Sequence, residues 1–134
     1  MKRRKLFLQV SLLLLIFIIS STGAFATTYI PDDDRDITAY SYGASVYGYM
    51  GATEYPNGAW VDVIGVKVTA SVYRNGTYVG QSNSQDTSSP YSTEFSSTYA
   101  SDSRSNSWSG DFVHSFKFSN GWMSIVSGTV SDSN

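Results

Sequence analysis

Beyond residue 26 the chain predicts an all-β domain: a small antiparallel β-sandwich, immunoglobulin-like, of about six to seven strands, following a cleaved N-terminal signal peptide. Three observations lead there. Leu is absent after Leu15 and Glu and Lys are scarce, while Val, Thr, Tyr and Ser abound; strong helix formers are missing and β-branched and aromatic residues remain. Wherever a hydrophobic period is clear, it is two. Turn signals recur at short intervals, at Tyr55-Pro56-Asn57-Gly58, Asn75-Gly76 and Asn120-Gly121.

The first segment is an address. Lys2, Arg3, Arg4 and Lys5 precede an uncharged run from Leu6 to Ile19, and Ala24-Phe25-Ala26 closes it with small residues at alternate positions. That is the basic, apolar and cleavage-site layout of a secretory signal. The alternative is a retained anchor, but Leu6–Ile19 spans 14 residues and a helix needs roughly 20 to cross a bilayer. Cleavage is expected after Ala26, giving a secreted protein with no membrane association thereafter.

Residues 27–36 are expected to form an irregular acidic lead-in, and 37–130 a single β-sandwich domain. Ile37–Met50 is strand-like with mixed faces, and Gly43 or Gly48 is a candidate bulge. Trp60–Tyr73 alternates best. Ile64, Val66, Val68, Ala70 and Val72 share an inward face, and Lys67, Thr69, Ser71 and Tyr73 take the other. Asn75-Gly76 then predicts a two-residue type I′ hairpin. Counting outward pairs Tyr73 with Tyr78 and Val72 with Val79.

Gln81–Pro90 reads as a polar loop. Tyr91–Ala100 reads as a strand with Tyr91, Thr93, Phe95, Ser97 and Tyr99 on one face, followed by a second loop. In Trp108–Phe118, the residues Trp108, Gly110, Phe112, His114, Phe116 and Phe118 share a face. Asn120-Gly121 predicts a second hairpin that pairs Phe118 with Met123, Phe116 with Ile125 and His114 with Ser127. The last strand is Trp122–Val130, and 131–134 is a tail.

Without the signal the charge changes sign of emphasis. Arg35, Lys67, Arg74, Arg104 and Lys117 stand against all 11 acidic residues, a net charge of −6. Five scattered cations give no footprint for nucleic acid or for anionic lipid. The chain has no cysteine, which excludes disulfides, thiolate metal sites and cysteine nucleophiles. An exported domain without cysteine suggests a bacterial source.

Candidate chemistry is sparse. His114 is the only histidine, and no G-x-S-x-G elbow accompanies it; among aromatic neighbours it reads as a partly buried structural histidine with its ring nitrogens hydrogen-bonded to neighbours. Asp32, Asp33, Asp34 and Asp36 form the densest charge cluster, but the loop lacks the glycine and terminal Glu of an EF-hand, so a solvated lead-in is expected. Glu54 and Glu94 are the only glutamates, and nothing brings them together as a glycosidase pair. No catalytic residue, cofactor or metal is therefore assigned, and the chain is not read as an enzyme.

Aromatics are the feature that carries binding. Tyr40, Tyr42, Tyr47 and Tyr49 come as two i,i+2 pairs, and Tyr73, Tyr78 and Trp122 point outward in the expected registers. Rings of this kind stack on sugar faces and anchor interfaces. Tyr73, Tyr78, Trp122, Tyr47 and Tyr49 are the expected ligand-binding residues. The chain thus reads as a small exported, monomeric, non-catalytic binding module for a polysaccharide, cell-wall polymer or extracellular protein. The alternative is a secreted bacteriocin-like or toxin-like antagonist, weakened by an acidic, Ser-rich chain with no amphipathic stripe.

Overall fold

A computed structural model describes residues 27–56 and 63–134. The expected signal peptide and the turn at Asn57-Gly58 lie outside the described residues. Seven strands run in order: β1 (Thr27–Tyr40), β2 (Gly43–Pro56), β3 (Gly65–Arg74), β4 (Thr77–Asp86), β5 (Ser92–Ala100), β6 (Ser107–Phe118) and β7 (Gly121–Ser133). They form a three-stranded sheet, β1-β2-β5, and a four-stranded sheet, β4-β3-β6-β7. All pairings are antiparallel.

The two sheets face each other across one core. Trp108, Phe112 and Phe116 from β6, Val66, Val68 and Val72 from β3, and Val46 and Met50 from β2 are fully buried in it. The inward faces expected for β5 and β6 are those observed. On β3 the inward face begins at Val66. Ile64 precedes the strand and is 40% exposed, while Val63 is buried in its place. The break at Gly65 shifts the alternation by one residue, so the expected inward position of Ile64 is corrected.

The irregular lead-in is a strand. Residues 27–36 belong to β1, which pairs with β2 over its whole length. Asp has low β-propensity, but alternation leaves Asp32, Asp34 and Asp36 in water and turns Asp33, Arg35, Ile37 and Ala39 inward. The expected single strand Ile37–Met50 is two strands, with the turn at Ser41-Tyr42. The segment 131–133, read as a tail, completes β7.

The Asn75-Gly76 hairpin forms as expected. Both residues have positive φ, 50° and 77°, as a type I′ turn requires. Arg74 pairs with Thr77 and Tyr73 with Tyr78. A bulge then intervenes, so Val72 faces Gly80 and Val79 is the extra residue. That slip flips the face of everything beyond it. Gly80, Ser82, Ser84 and Asp86 turn inward, and Gln81, Asn83 and Gln85 face water. Gln81–Asp86, expected as a loop, is therefore strand. Small inward residues let β4 approach β5, where Ser82 Oγ lies 2.8 Å from the Tyr99 hydroxyl and Ser84 Oγ 2.6 Å from Thr93 Oγ1.

The second hairpin differs from expectation. Its turn residues are Ser119-Asn120, and Gly121, at φ 125°, opens β7 opposite Phe118. Phe116 consequently pairs with Met123. A bulge beside His114/Ser115 makes Ile125 the extra residue, so His114 pairs with Val126, not Ser127. Without that bulge β7 would turn Ser127, Thr129 and Ser131 inward. With it, Val126, Gly128 and Val130 face the core.

Candidate functional site

The expected aromatics occupy both outer surfaces of the sandwich and do not form one platform. Tyr47 and Tyr49 sit on β2, the central strand of the three-stranded sheet, and alternate with the inward residues Val46, Gly48 and Met50. Tyr73 and Tyr78 cross the Asn75-Gly76 hairpin on the other outer face. Their rings are 5.8 Å apart in an edge arrangement, and Tyr78 is 55% exposed. Trp122 is on that same face but beside the opposite end of β3. Lys67 Nζ lies 4.7 Å and Lys117 Nζ 5.8 Å from its ring. From Lys67 to Tyr73 is six residues of strand, about 20 Å, too far for one sugar to bridge.

Tyr40 and Tyr42 separate at the β1–β2 turn. Tyr42 is taken by Arg104, whose Nε donates to its hydroxyl at 2.6 Å.

The outer face around Tyr47 and Tyr49 is chemically the most distinct. Tyr49 stands between Asp34 of β1 and Glu94 of β5; Tyr47 stands between Asp36 and Ser96. Asp32 extends the β1 column. The Tyr47 hydroxyl donates to Glu94 Oε2 at 3.1 Å. Partial desolvation, that hydrogen bond and the charges of Glu94 and Asp34 push the Tyr47 phenol above its ordinary value of 10.0. Within the described residues of this face there are four carboxylates and no cation. The acidic cluster thus acts as the flank of an aromatic strip. Glu54 stands opposite Tyr29 near the end of β2, away from the Glu94 register.

A second polar group lies between the sheets. His114 is fully buried, stacked beside Phe112 with ring centroids 6.4 Å apart. Its Nδ1 is 3.9 Å from Asp33 Oδ2, and Arg35 Nη1 is 3.7 Å from the same oxygen. Neither His114 nitrogen nor Arg35 Nη1 has a hydrogen bond of good geometry, although backbone of Asp34 and Tyr49 approaches the ring. Burial pushes the His114 pKa below its ordinary value of 6.5, and the Asp33 charge opposes this only in part. A partly buried histidine with hydrogen-bonded ring nitrogens was expected; His114 is instead fully buried with neither nitrogen so satisfied, and Asp33 and Arg35 as its companions were missed. The signal was the alternation in Asp33, Arg35, Ile37 and Ala39, which a strand turns to one side.

This group resembles no reaction site. Asp33 and Arg35 bracket the histidine without a serine or threonine nucleophile hydrogen-bonded to it. Among the described residues no group of three or more His, Asp or Glu is placed to hold a metal ion, and no helix is long and apolar enough to cross a membrane. What stands is a small β-sandwich domain without an evident catalytic or metal centre among those residues. Comparison with protein-family models found no match, and comparison with curated proteins found none.

Proposed function

We propose that the protein is an exported, non-catalytic binding module that holds an amine-bearing extracellular polysaccharide across the outer face of β1, β2 and β5. The observation that carries this reading is the Tyr47–Tyr49 strip flanked by Asp34, Asp36 and Glu94 with no cation among the described residues of the face. Stacked rings suit sugar faces, and the flanking carboxylates suit ammonium groups along the polymer. A flat sheet face also suits an extended chain better than a small compact ligand, which prefers a concave pocket.

Retention on partially deacetylated chitin, compared with fully acetylated chitin and cellulose, tests the reading. Tyr47→Ala and Tyr49→Ala are expected to weaken retention at least tenfold, and salt to weaken it further. Tyr73→Ala should leave it unchanged. Absence of retention on any polymer or cell wall overturns the proposal.

Export belongs to the same proposal and rests on the layout of residues 2–26. The secreted chain is expected to begin at Thr27, read by intact mass. The immunoglobulin-like character is supported by the strand orders 1-2-5 and 4-3-6-7. They share the first, second and fifth strands in one sheet with the constant-type arrangement. Here the fourth strand joins the sheet of the third.

A further inference from the structure

We propose that β1 is an acid-released strap: an edge strand held against the four-stranded sheet by ionisable anchors, with His114 as the proton sensor. The strap concerns the fold and stands whatever the outer face binds.

β1 pairs with β2 on one side only. Among its inward residues whose burial is described (33–39), Ile37 alone is a buried hydrophobe, with Ala39 partly buried; Asp33 and Arg35 stand beside Met50 and Gly48 of β2. Apart from Ile37 and Ala39, its attachments to the opposite sheet are polar. Asp33 faces His114 at 3.9 Å. Arg35 lies flat on β7, so close that a Cβ on Gly128 would stand 2.9 Å from Nη1. The Ala39 amide donates to Asp132 Oδ2 at 2.9 Å. A strand with so little apolar burial over residues 31–40 is a unit that opens before the core does.

His114 makes that opening pH-dependent. In the closed state an imidazolium would be sealed from water, with Asp33 its one attractive charge and the Arg35 guanidinium repelling it. The inward positions of β2 (Ala44, Val46, Gly48, Met50), the β3 partner Val68 and the β7 partner Val126 bring no ionisable group. Once β1 lifts, the ring meets water and titrates near 6.5. The opened state therefore binds the proton more readily, and the opening constant rises as pH falls below about 6.5, by up to tenfold per unit. The rise levels off below the closed-state value. The Asp132 carboxyl is held below the usual range by the Ala39 and Ser133 amides, so it weakens only in stronger acid.

Hydrogen exchange of the full chain, corrected for intrinsic rates and followed from pH 8 to 4.5, tests this. Opening of β1 (27–40) is expected to increase about fivefold between pH 6.5 and 5.5, while β3 (65–74) stays protected. His114→Gln should abolish the rise, and Asp132→Asn should leave it in place. Should His114→Gln not fold, Asp33→Asn serves: removing the one attractive charge should extend the rise to lower pH. The strap is overturned if β1 and β3 lose protection together, or if the rise survives His114→Gln or is unchanged in Asp33→Asn.

Discussion

Tyr47 shows how one side chain reports its surroundings. Its hydroxyl donates to Glu94, and the negative charges nearby make a phenolate costly. Glu94→Gln removes the hydrogen-bonded charge while keeping the shape. The Tyr47 phenol is expected to fall back toward 10.0 but not to reach it, since desolvation and Asp34 remain. Ultraviolet titration of Tyr47 against the variant checks this, and an unmoved midpoint would remove Glu94 as a cause. His114 teaches the complementary point. A lone histidine on an aromatic face is legible as structural, yet its full burial and its effect depend on Asp33 and Arg35, some 80 residues away in sequence, and no local pattern links them.

The hairpins separate turn chemistry from register. Asn75 does two things: it adopts φ 50°, and its side chain ties the turn to the start of β6. Its Nδ2 donates to Asn106 Oδ1 at 2.8 Å, and its Oδ1 accepts from the Ser107 amide at 2.8 Å. Asn75→Gly keeps the turn conformation but loses both bonds, at an expected cost of about 1–2 kcal/mol. Gly76→Ala keeps the bonds but places a side chain at φ 77°, in otherwise open space, so its cost of about 1 kcal/mol is backbone strain alone. Denaturant melts of the two variants, and of the pair combined, measure these terms, and additivity is not expected for neighbours. The Asn-Gly pair at 75–76 was readable because the turn demands positive φ at both residues. At 120–121 the same dipeptide is offset, with Gly121 already in the strand.

Across the molecule, stability rests on one core without disulfides. Phe116 is fully buried on β6, opposite Val66 of the neighbouring β3, and Phe116→Ala is expected to cost about 3–5 kcal/mol. Against a net stability of roughly 5–15 kcal/mol, that is a large share, and urea titration will show a lowered midpoint at nearly unchanged slope. A cost below about 1 kcal/mol would mean the sheets slide to fill the space.

Alternation, aromatic content and the missing helix formers sufficed for the all-β architecture, for the inward faces of β5 and β6, and for the turn at Asn75-Gly76, because strand period and turn dihedrals are local properties. The bulges at Val79 and Ile125 were not legible. Each corrects the phase of one strand so that small or apolar residues meet the opposite sheet, and that requirement exists only once the opposite sheet is there. β1 escaped for the same reason: its acids make a poor strand alone, and pairing with β2 over a sheet that accepts Asp33 and Arg35 makes it one. The split of the aromatics between two surfaces followed too, since which strands share a sheet is fixed by long-range pairing and burial, not by neighbours in the chain.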